Sequence, residues 1–317
     1  MIRISKDLGR TWSEPIVVQT LHRDKGEGFL FCRWVTRLHD NSLLLATDRV
    51  TYKPFPPGAP HNWFYDPRND SGNEAWLYRS VDDGRTWTGP EKTHRMTVSV
   101  SVRQVTDGTI FMMGEHYDAK LDYWRQVAFL STDNGKTWSD PITMFDDRHC
   151  CTGEGDLVEM PGGKLVAYMR ANKIRVGAIK AVSDDGGRTW SGPFAAGKYP
   201  INGRVTAGRL SSGEVLVVHR VYGDNFGFFV ESEEAASARV PYDAATYKSP
   251  ALNWGIIDIE HNKPRPDGGY GGWVELPDGD VYAVSYITDD APKPQIRGYR
   301  LSRKVLLTPH PKDTRTE

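Results

Sequence analysis

Five segments of the chain alternate apolar and polar residues on both sides of a short polar turn. Alternation with a period of two is typical of a strand with one buried face, and two such runs joined by a tight turn predict a β-hairpin. The five predicted hairpins cover residues 32–49, 100–116, 154–170, 204–220 and 270–286. The pattern therefore predicts an all-β protein of many short strands.

A second pattern, the octamer S-x-D-x-G-x-T-W, occurs four times, at Ser5–Trp12, Ser80–Trp87, Ser131–Trp138 and Ser183–Trp190. Its aspartate can accept hydrogen bonds from its own turn, its glycine can take a positive φ, and its tryptophan can pack between sheets. The copies start at residues 5, 80, 131 and 183, so their spacings are 75, 51 and 52 residues. A period of about 50 residues is that of a four-stranded propeller blade.

Together the hairpins and octamers predict a six-bladed β-propeller of four-stranded antiparallel blades, as one domain over residues 1–317. Residues 1–20 contain the first octamer but only half of a blade, and the five hairpins plus this half make six. Two explanations of the half blade stay open: the C-terminal end supplies the other strands, or the chain begins part-way through a longer product. Residues 231–250 are expected to hold a short helix or an elaborated loop, and residues 50–73 form a Pro-rich insertion.

Composition narrows the classes of function. The chain has 40 basic and 41 acidic side chains, which argues against nucleic-acid binding, and it has no apolar run long enough for a membrane span. Histidines, acids and cysteines show no metal-ligand spacing, so no metal or cofactor is expected. No signal peptide precedes the first strand. A cytoplasmic location is the simplest inference, a secreted one follows if upstream sequence is missing, and the location stays unknown.

Aligning the five hairpins on their turns gives candidate site residues, because propellers bind ligands over the central axis at the ends of inner strands. The aligned starts of the first strands are Arg33, Ser99, Glu154, Arg204 and Tyr270. The ends of the second strands add Arg49, His116, Arg170 and Arg220. Each of these alone could be a solvated edge charge, yet arginines grouped around a glutamate and a tyrosine favour a site for an acidic ligand.

The chemistry of this group fits a sugar that carries a carboxylate at its anomeric carbon. Arginine binds a carboxylate with two parallel hydrogen bonds. A neutral phenol avoids the repulsion that a carboxylate nucleophile would meet there, and sialidases use a tyrosine nucleophile. A phenol needs a neighbouring base to take its proton, and Glu154 is the candidate base for Tyr270.

The octamers resemble the Asp boxes of the sialidase superfamily, whose sialidases are six-bladed propellers, and the candidate site resembles the sialidase catalytic set. Arg33 with Arg49 is similar to the first pair of that set, and Glu154 with Arg170 is similar to the second. Tyr270 lies where the sialidase nucleophile would be. The resemblance implies that the substrate's carboxylate is held by three arginines, Arg33, Arg170 and Arg204, with Arg220 as the reserve for Arg204.

The sequence departs from the sialidase pattern at the acid/base aspartate. The family has this residue a few positions beyond Arg49, where the sequence here is TYKPFPP and contains no acid. Asp66 or Asp70 in the insertion could substitute, and Asp48 is the third choice, although its neighbour Arg49 suggests an ion pair instead. The identity of the acid therefore stays open at this point.

The predicted function is an exo-α-sialidase-like glycoside hydrolase that releases terminal sialic acid, or a related acidic sugar, with retention of configuration. Two alternatives stay open. The first is a propeller lyase or hydrolase that acts on uronic-acid polysaccharides, with His116 and a tyrosine as base and acid. The second is a non-catalytic module that binds acidic glycans. In each case the expected partner is an acidic carbohydrate, either a sialoside or a uronate glycan.

Overall fold

The structure is a computed structural model that describes residues 1–22, 25, 27–50, 73–95, 97–118, 120, 123–145, 152–222, 225–259, 267–288 and 293–310. These residues form five antiparallel sheets, four with four strands and one with three. Within each sheet every strand pairs with the next strand in the chain, as successive hairpins require. The chain divides into two compact units, Met1–Ile142 and Thr143–Glu317. The assignment of a single domain stays a prediction.

The first two sheets have the predicted hairpins as their first two strands. The second strand of each hairpin is buried along most of its length instead of alternating between buried and exposed positions. The first sheet consists of β1 (Phe29–Arg37), β2 (Leu43–Val50), β3 (Glu74–Ser80) and β4 (Thr88–Arg95). The second sheet consists of β5 (Thr97–Gln104), β6 (Ile110–Asp118), β7 (Tyr123–Ser131) and β8 (Ile142–Phe145).

The other three sheets follow the same order. The third consists of β9 (Thr152–Glu159), β10 (Leu165–Ala171), β11 (Ile179–Ser183) and β12 (Ser191–Ala195). The fourth consists of β13 (Val205–Arg209), β14 (Val215–Arg220), β15 (Phe226–Glu231) and β16 (Asn253–Asp258), with helix α1 (Glu233–Ser237) before β16. The fifth consists of β17 (Gly271–Glu275), β18 (Val281–Ile287) and β19 (Gln295–Leu301), followed by helix α2 (Arg303–Leu307).

The prediction of six blades is wrong, because the described residues form five sheets. The N-terminal segment, residues 1–20, makes a single isolated bridge between Ile2 and Ile16 and no strand. Trp12 of its octamer is 49% exposed, so it does not fill the space between two sheets. Ile2 and Val18 instead pack against the first sheet, which gives this segment its apolar contacts without a blade of its own.

The octamers form the local turn that the sequence predicted. In the second copy, Asp82 accepts hydrogen bonds from the backbone N–H of Thr86 at 2.8 Å and from its hydroxyl at 2.7 Å. Ser80 accepts the backbone N–H of Gly84 at 2.8 Å, and Gly84 has φ 83°. Three octamers therefore join the third and fourth strands of the first three sheets, since β3, β7 and β11 each end on the octamer's serine.

The buried faces of neighbouring sheets supply the cores of both units. In the first unit Leu44, Met112 and Phe129 belong to one cluster with exposures of 1% or less. In the second unit Tyr168 and Phe229 are buried in a cluster that spans the third and fourth sheets. Residues 231–250, expected to hold a short helix or an elaborated loop, contain the short helix α1. No helix among the described residues is long and apolar enough to cross a membrane.

Candidate active site

Three of the five residues aligned at the starts of the first strands lie at β-bulges. Pairing registers shift around Arg33 in β1, around Ser99 in β5 and around Glu154 in β9. A bulge leaves a residue unpaired and re-aims its side chain. Ser99 has φ 58° and Glu154 has φ 43°, which is strained backbone for residues other than glycine. Such strain persists only where the surroundings hold it, and it marks Glu154 as a functional candidate.

Glu154, Arg170 and Tyr270 meet in the second unit. The Tyr270 hydroxyl donates to Glu154 Oε2 at 2.7 Å. Arg170 Nη1 donates to the same oxygen at 2.7 Å and to the Tyr270 hydroxyl at 3.2 Å. The Arg170 side chain is 28% exposed and that of Glu154 only 5%, so a solute can reach the arginine while the carboxylate lies below it. The phenol thus has a proton acceptor and a cation within hydrogen-bonding distance.

The electrostatics keep the carboxyl ionised and the phenol neutral. Burial disfavours the charge on Glu154, but the charges of Arg204 and Arg170 and hydrogen bonds from Tyr270 and Arg170 outweigh it, so its pKa lies below the ordinary value. Burial and the nearby Glu154 charge raise the pKa of Tyr270 above that of a free phenol. In the resting state the proton therefore lies on Tyr270 and points at Glu154.

Arg220 lies against the face of Tyr270. Its guanidinium carbon is 4.2 Å from the centre of the Tyr270 ring, which is cation–π geometry. Its Nε donates to Gly268 O at 2.5 Å, and its Nη2 donates to Tyr286 Oη at 2.7 Å and to Asp267 Oδ1 at 2.8 Å. The Tyr286 hydroxyl also donates to Asp267 Oδ1 at 2.5 Å. Arg220 is thus tied to the segment that leads into Tyr270.

The backbone at Gly203 lies close to the ring of Tyr270. A Cβ at Gly203 would lie 2.4 Å from Tyr270 Cε1 and 2.8 Å from Arg220 Cβ, so only glycine fits there. Arg204, the next residue, is 7% exposed and acts on Glu154 through its charge. The structure therefore brings five predicted residues together in the second unit, and their roles stay predictions. They are Glu154, Arg170, Arg204, Arg220 and Tyr270.

The other predicted arginines lie in the first unit. Arg33 Nε contacts Asp48 Oδ2 at 2.5 Å, and the carboxylate of Asp48 is fully buried and also accepts the backbone N–H of Ser99 at 2.8 Å. The expected pairing of Asp48 with its neighbour Arg49 is therefore wrong. Arg49 donates to the carbonyl of Glu27 at 3.1 Å. These bonds hold the Asp48 carboxylate in the structure of the first sheet.

His116 also lies in the first unit, where its Nδ1 is 3.0 Å from the hydroxyl of Thr97. Burial and the charge of Arg125 lower the pKa of His116, against the opposing charge of Asp118. Asp66 and Asp70, the candidates for the acid, lie outside the described residues. Among the described residues no group of three or more His, Cys, Asp or Glu could hold a metal ion.

Asp267 and Tyr286 are site residues that the sequence pattern did not identify. The alignment of the hairpins could have identified Tyr286, since it ends the second strand of the fifth predicted hairpin, at the position aligned with Arg170 and Arg220. A tyrosine at that position carries no charge, so it does not stand out beside the arginines and histidine at the other aligned positions. Asp267 precedes the aligned stretch, so no alternation or turn pattern points to it.

Comparison with known proteins places the chain in a family. The family described as "BNR repeat-like domain" matches residues 61–283, more than half of the chain. A search of curated proteins found no match.

Solved structures with the same fold include several sialidases. A protein of unknown function from Dyadobacter fermentans has a TM-score of 0.71 at 21% identity, over 95% of this chain and 82% of that one. Trypanosoma rangeli sialidase in complex with sialic acid has a TM-score of 0.68 at 16% identity, over 96% and 49%. A leech intramolecular trans-sialidase complexed with 2,7-anhydro-Neu5Ac has a TM-score of 0.64 at 13% identity, over 96% and 63%. The chain thus spans less than two thirds of each of these two sialidases.

Proposed function

This chain belongs to the BNR repeat-like domain family and has a sialidase-like fold, and from this we propose that it is a retaining exo-α-sialidase, releasing terminal sialic acid or a related acidic sugar. The observation that carries the proposal is the hydrogen bond from the Tyr270 hydroxyl to Glu154, with Arg170 at the same two atoms. A buried phenol paired with an ionised carboxylate is an activated nucleophile.

In the proposed first step the Tyr270 oxygen attacks the anomeric carbon while Glu154 takes the phenolic proton. The glycosidic C–O bond breaks, and an acid protonates the leaving oxygen. Asp66 and Asp70 remain the candidates for this acid. In the second step water attacks the anomeric carbon and gives its proton to the deprotonated acid, the bond to Tyr270 breaks, and the phenol regains its proton from Glu154. Two displacements at one carbon give net retention.

The arginines support this reaction through the charge on the substrate. Arg170 is the more exposed of the two arginines that contact Tyr270, with 28% of its side chain exposed against 12% for Arg220. A carboxylate on the anomeric carbon would therefore meet Arg170 first, and a guanidinium forms charge-assisted hydrogen bonds with a carboxylate. Arg204 adds positive charge beneath the site.

The test is release of a fluorophore from an aryl α-ketoside of sialic acid by the purified protein. Tyr270→Phe removes only the attacking oxygen, so turnover should fall by roughly 1,000-fold or more while binding of a sialic-acid analogue is kept. Glu154→Gln removes the base and should lower turnover by about 10²- to 10⁴-fold. Tyr282→Phe removes the hydroxyl of a different tyrosine, in β18. It is the matched control and should leave turnover unchanged.

The proposal fails if Tyr270→Phe keeps full turnover, or if the wild-type protein hydrolyses no such ketoside. A product from a uronate polysaccharide that absorbs in the near ultraviolet would indicate β-elimination instead, because hydrolysis forms no double bond. Tight binding of acidic glycans without any turnover would indicate a binding module.

A further inference from the structure

Arg220 makes hydrogen bonds to groups of the protein itself, one of which, the side chain of Asp267, is 62% exposed. Three hydrogen bonds connect it to Gly268 O, Asp267 and Tyr286, and its guanidinium carbon lies 4.2 Å from the centre of the Tyr270 ring. Its side chain is 12% exposed. An arginine that binds a substrate carboxylate presents a fork of donors to the solvent-exposed side of the site. Here that fork is directed at a carboxylate and a phenol of the protein itself.

Asp267 and Tyr286 form one unit with Arg220. Asp267 Oδ1 accepts from both Arg220 Nη2 and the Tyr286 hydroxyl. Asp267 precedes Tyr270 by one short glycine segment, and the backbone N–H of Tyr286 donates to the carbonyl of Tyr270 at 3.4 Å. The rings of Tyr270 and Tyr286 meet edge to face, with centroids 6.1 Å apart. The cluster is thus attached to the nucleophile at its backbone and at its ring.

A cation on the face of a phenol favours the form in which the phenol has lost its proton. The charge of Arg220 accordingly opposes the rise that burial and Glu154 cause in the pKa of Tyr270. The effect of the Arg220 charge on the pKa of Tyr270 weakens with distance, so it requires that the guanidinium stay close to the ring. Asp267 and Tyr286 are the side chains that restrain it.

We propose that Asp267 and Tyr286 hold the Arg220 guanidinium against the face of Tyr270, so that Arg220 positions and polarises the nucleophile instead of binding the substrate's carboxylate. The inference rests on the proposed function, in which Tyr270 attacks the sugar. It assigns positioning roles to three residues, and it removes Arg220 from the set of arginines that bind the substrate.

The kinetic test separates positioning from substrate binding. Tyr286→Phe removes a hydrogen bond to the Arg220 charge and should lower kcat on the aryl ketoside by about 10- to 100-fold with KM unchanged within about twofold. Asp267→Asn removes the negative charge that pairs with Arg220 and should lower kcat by less with KM unchanged, because the Asp267 side chain is 62% exposed. Arg220→Lys keeps the charge but loses the fork and should show the same split. Because the residues act as one unit, the double variant should lose less than the product of the two single losses. Tyr282→Phe is the control on the same strand and should match the wild type.

A second test needs no substrate. The Arg220 guanidinium carbon lies 4.2 Å from the centre of the Tyr270 ring, so the Nε–H proton of Arg220 should give a ring-current-shifted NMR signal that disappears in Arg220→Lys. In Tyr286→Phe and Asp267→Asn this signal should move toward the position of an unrestrained arginine.

The two tests give separable outcomes. A rise in KM with unchanged kcat in Arg220→Lys would mean that Arg220 binds the substrate, and this would overturn the inference. An NMR signal that stays in place in both Tyr286→Phe and Asp267→Asn would also overturn it. If the wild type hydrolyses no ketoside, the proposed function fails, and the NMR signal alone decides whether the cluster restrains Arg220.

Discussion

Lys180 and Glu231 form an ion pair whose two side chains are fully buried in the second unit, with Nζ 2.9 Å from Oε2. The same oxygen accepts the hydroxyl of Tyr168 at 2.7 Å, and Lys180 also donates to the carbonyl of Ala235 at 2.5 Å. The group therefore joins the third sheet, the fourth sheet and helix α1. Oε1 of Glu231 has no hydrogen-bond partner among the described residues. The desolvation of this carboxylate is thus only partly compensated.

Replacing Lys180 by Met leaves the Glu231 charge buried without its counter-ion. Removing one partner of a buried ion pair costs about 3–5 kcal/mol of unfolding free energy. In the double variant Lys180→Met with Glu231→Gln the charge is gone and the amide oxygen can still accept from Tyr168. The double variant should therefore lose ~2 kcal/mol less than the sum of the two single losses.

The measurement is urea unfolding followed by tryptophan fluorescence, with midpoint and slope compared between variants. The matched control is Arg209→Met, which breaks the Arg209–Glu233 pair at 3.0 Å, whose side chains are 35% and 48% exposed. This exposed pair should contribute about 0–1 kcal/mol. A loss in Lys180→Met no larger than that of the control, or strict additivity in the double variant, would refute the reasoning.

Two further predictions concern the phenol and the octamers. Gly203→Ala places a methyl group 2.4 Å from Tyr270 Cε1 and should lower kcat by about 100-fold, since a shift of roughly 1 Å at a reacting group has that effect. Gly272→Ala, where a Cβ meets nothing within 4 Å, should keep its activity, and equal activity of the two variants would contradict the argument. The pKa of Asp133 is lowered to about 2, chiefly by hydrogen bonds from Thr137, so its stabilisation is present above the ordinary value of 3.8 and lost as the pH falls through about 2. The unfolding midpoint of Asp133→Asn should therefore change less than that of the wild type between about pH 4 and pH 2, and parallel profiles would contradict this.

The hairpins could be predicted because their signal is local. Alternation and a polar turn specify two paired strands within about 16 residues, and all five predicted hairpins became pairs of neighbouring strands. The alignment of those hairpins also placed Glu154, Arg170 and Tyr270 at equivalent ends of strands. They meet because equivalent ends of these strands lie together. An alignment of the hairpins on their turns therefore already groups these residues.

The number of blades could not be predicted from the octamers for a physical reason. An octamer satisfies its hydrogen bonds within its own eight residues, so it forms whether or not a sheet surrounds it. The first copy shows this, because Asp7 accepts both the backbone N–H and the hydroxyl of Thr11 while the flanking segment makes one bridge. A blade requires pairing between strands that are far apart in the chain, and the octamer carries no information on that pairing.

The contacts of Arg220 could not be predicted from the sequence, because they too join residues that are far apart in the chain. Its partners Asp267 and Tyr286 follow it by 47 and 66 residues. The alignment of the hairpins relates Tyr286 to Arg220 but does not include Asp267. From sequence alone Arg220 was an arginine at a strand end, equally suited to bind a substrate. The proposal that Arg220 is a positioning residue rests on its contact with the Tyr270 ring and on its hydrogen bonds to Asp267 and Tyr286.

The charges at Glu154 suggest why the proposed reaction would depend on an acidic substrate. Arg204 and Arg170 lower the pKa of Glu154 and so make it a weak base in the resting site, while the raised pKa of Tyr270 keeps the proton on the phenol. When a substrate carboxylate binds Arg170, part of that positive charge is neutralised, and Glu154 becomes a stronger base. In the proposed reaction, substrates without this carboxylate would leave the base weak, and so would bind poorly and react slowly. The same charge would then select the substrate and activate the nucleophile.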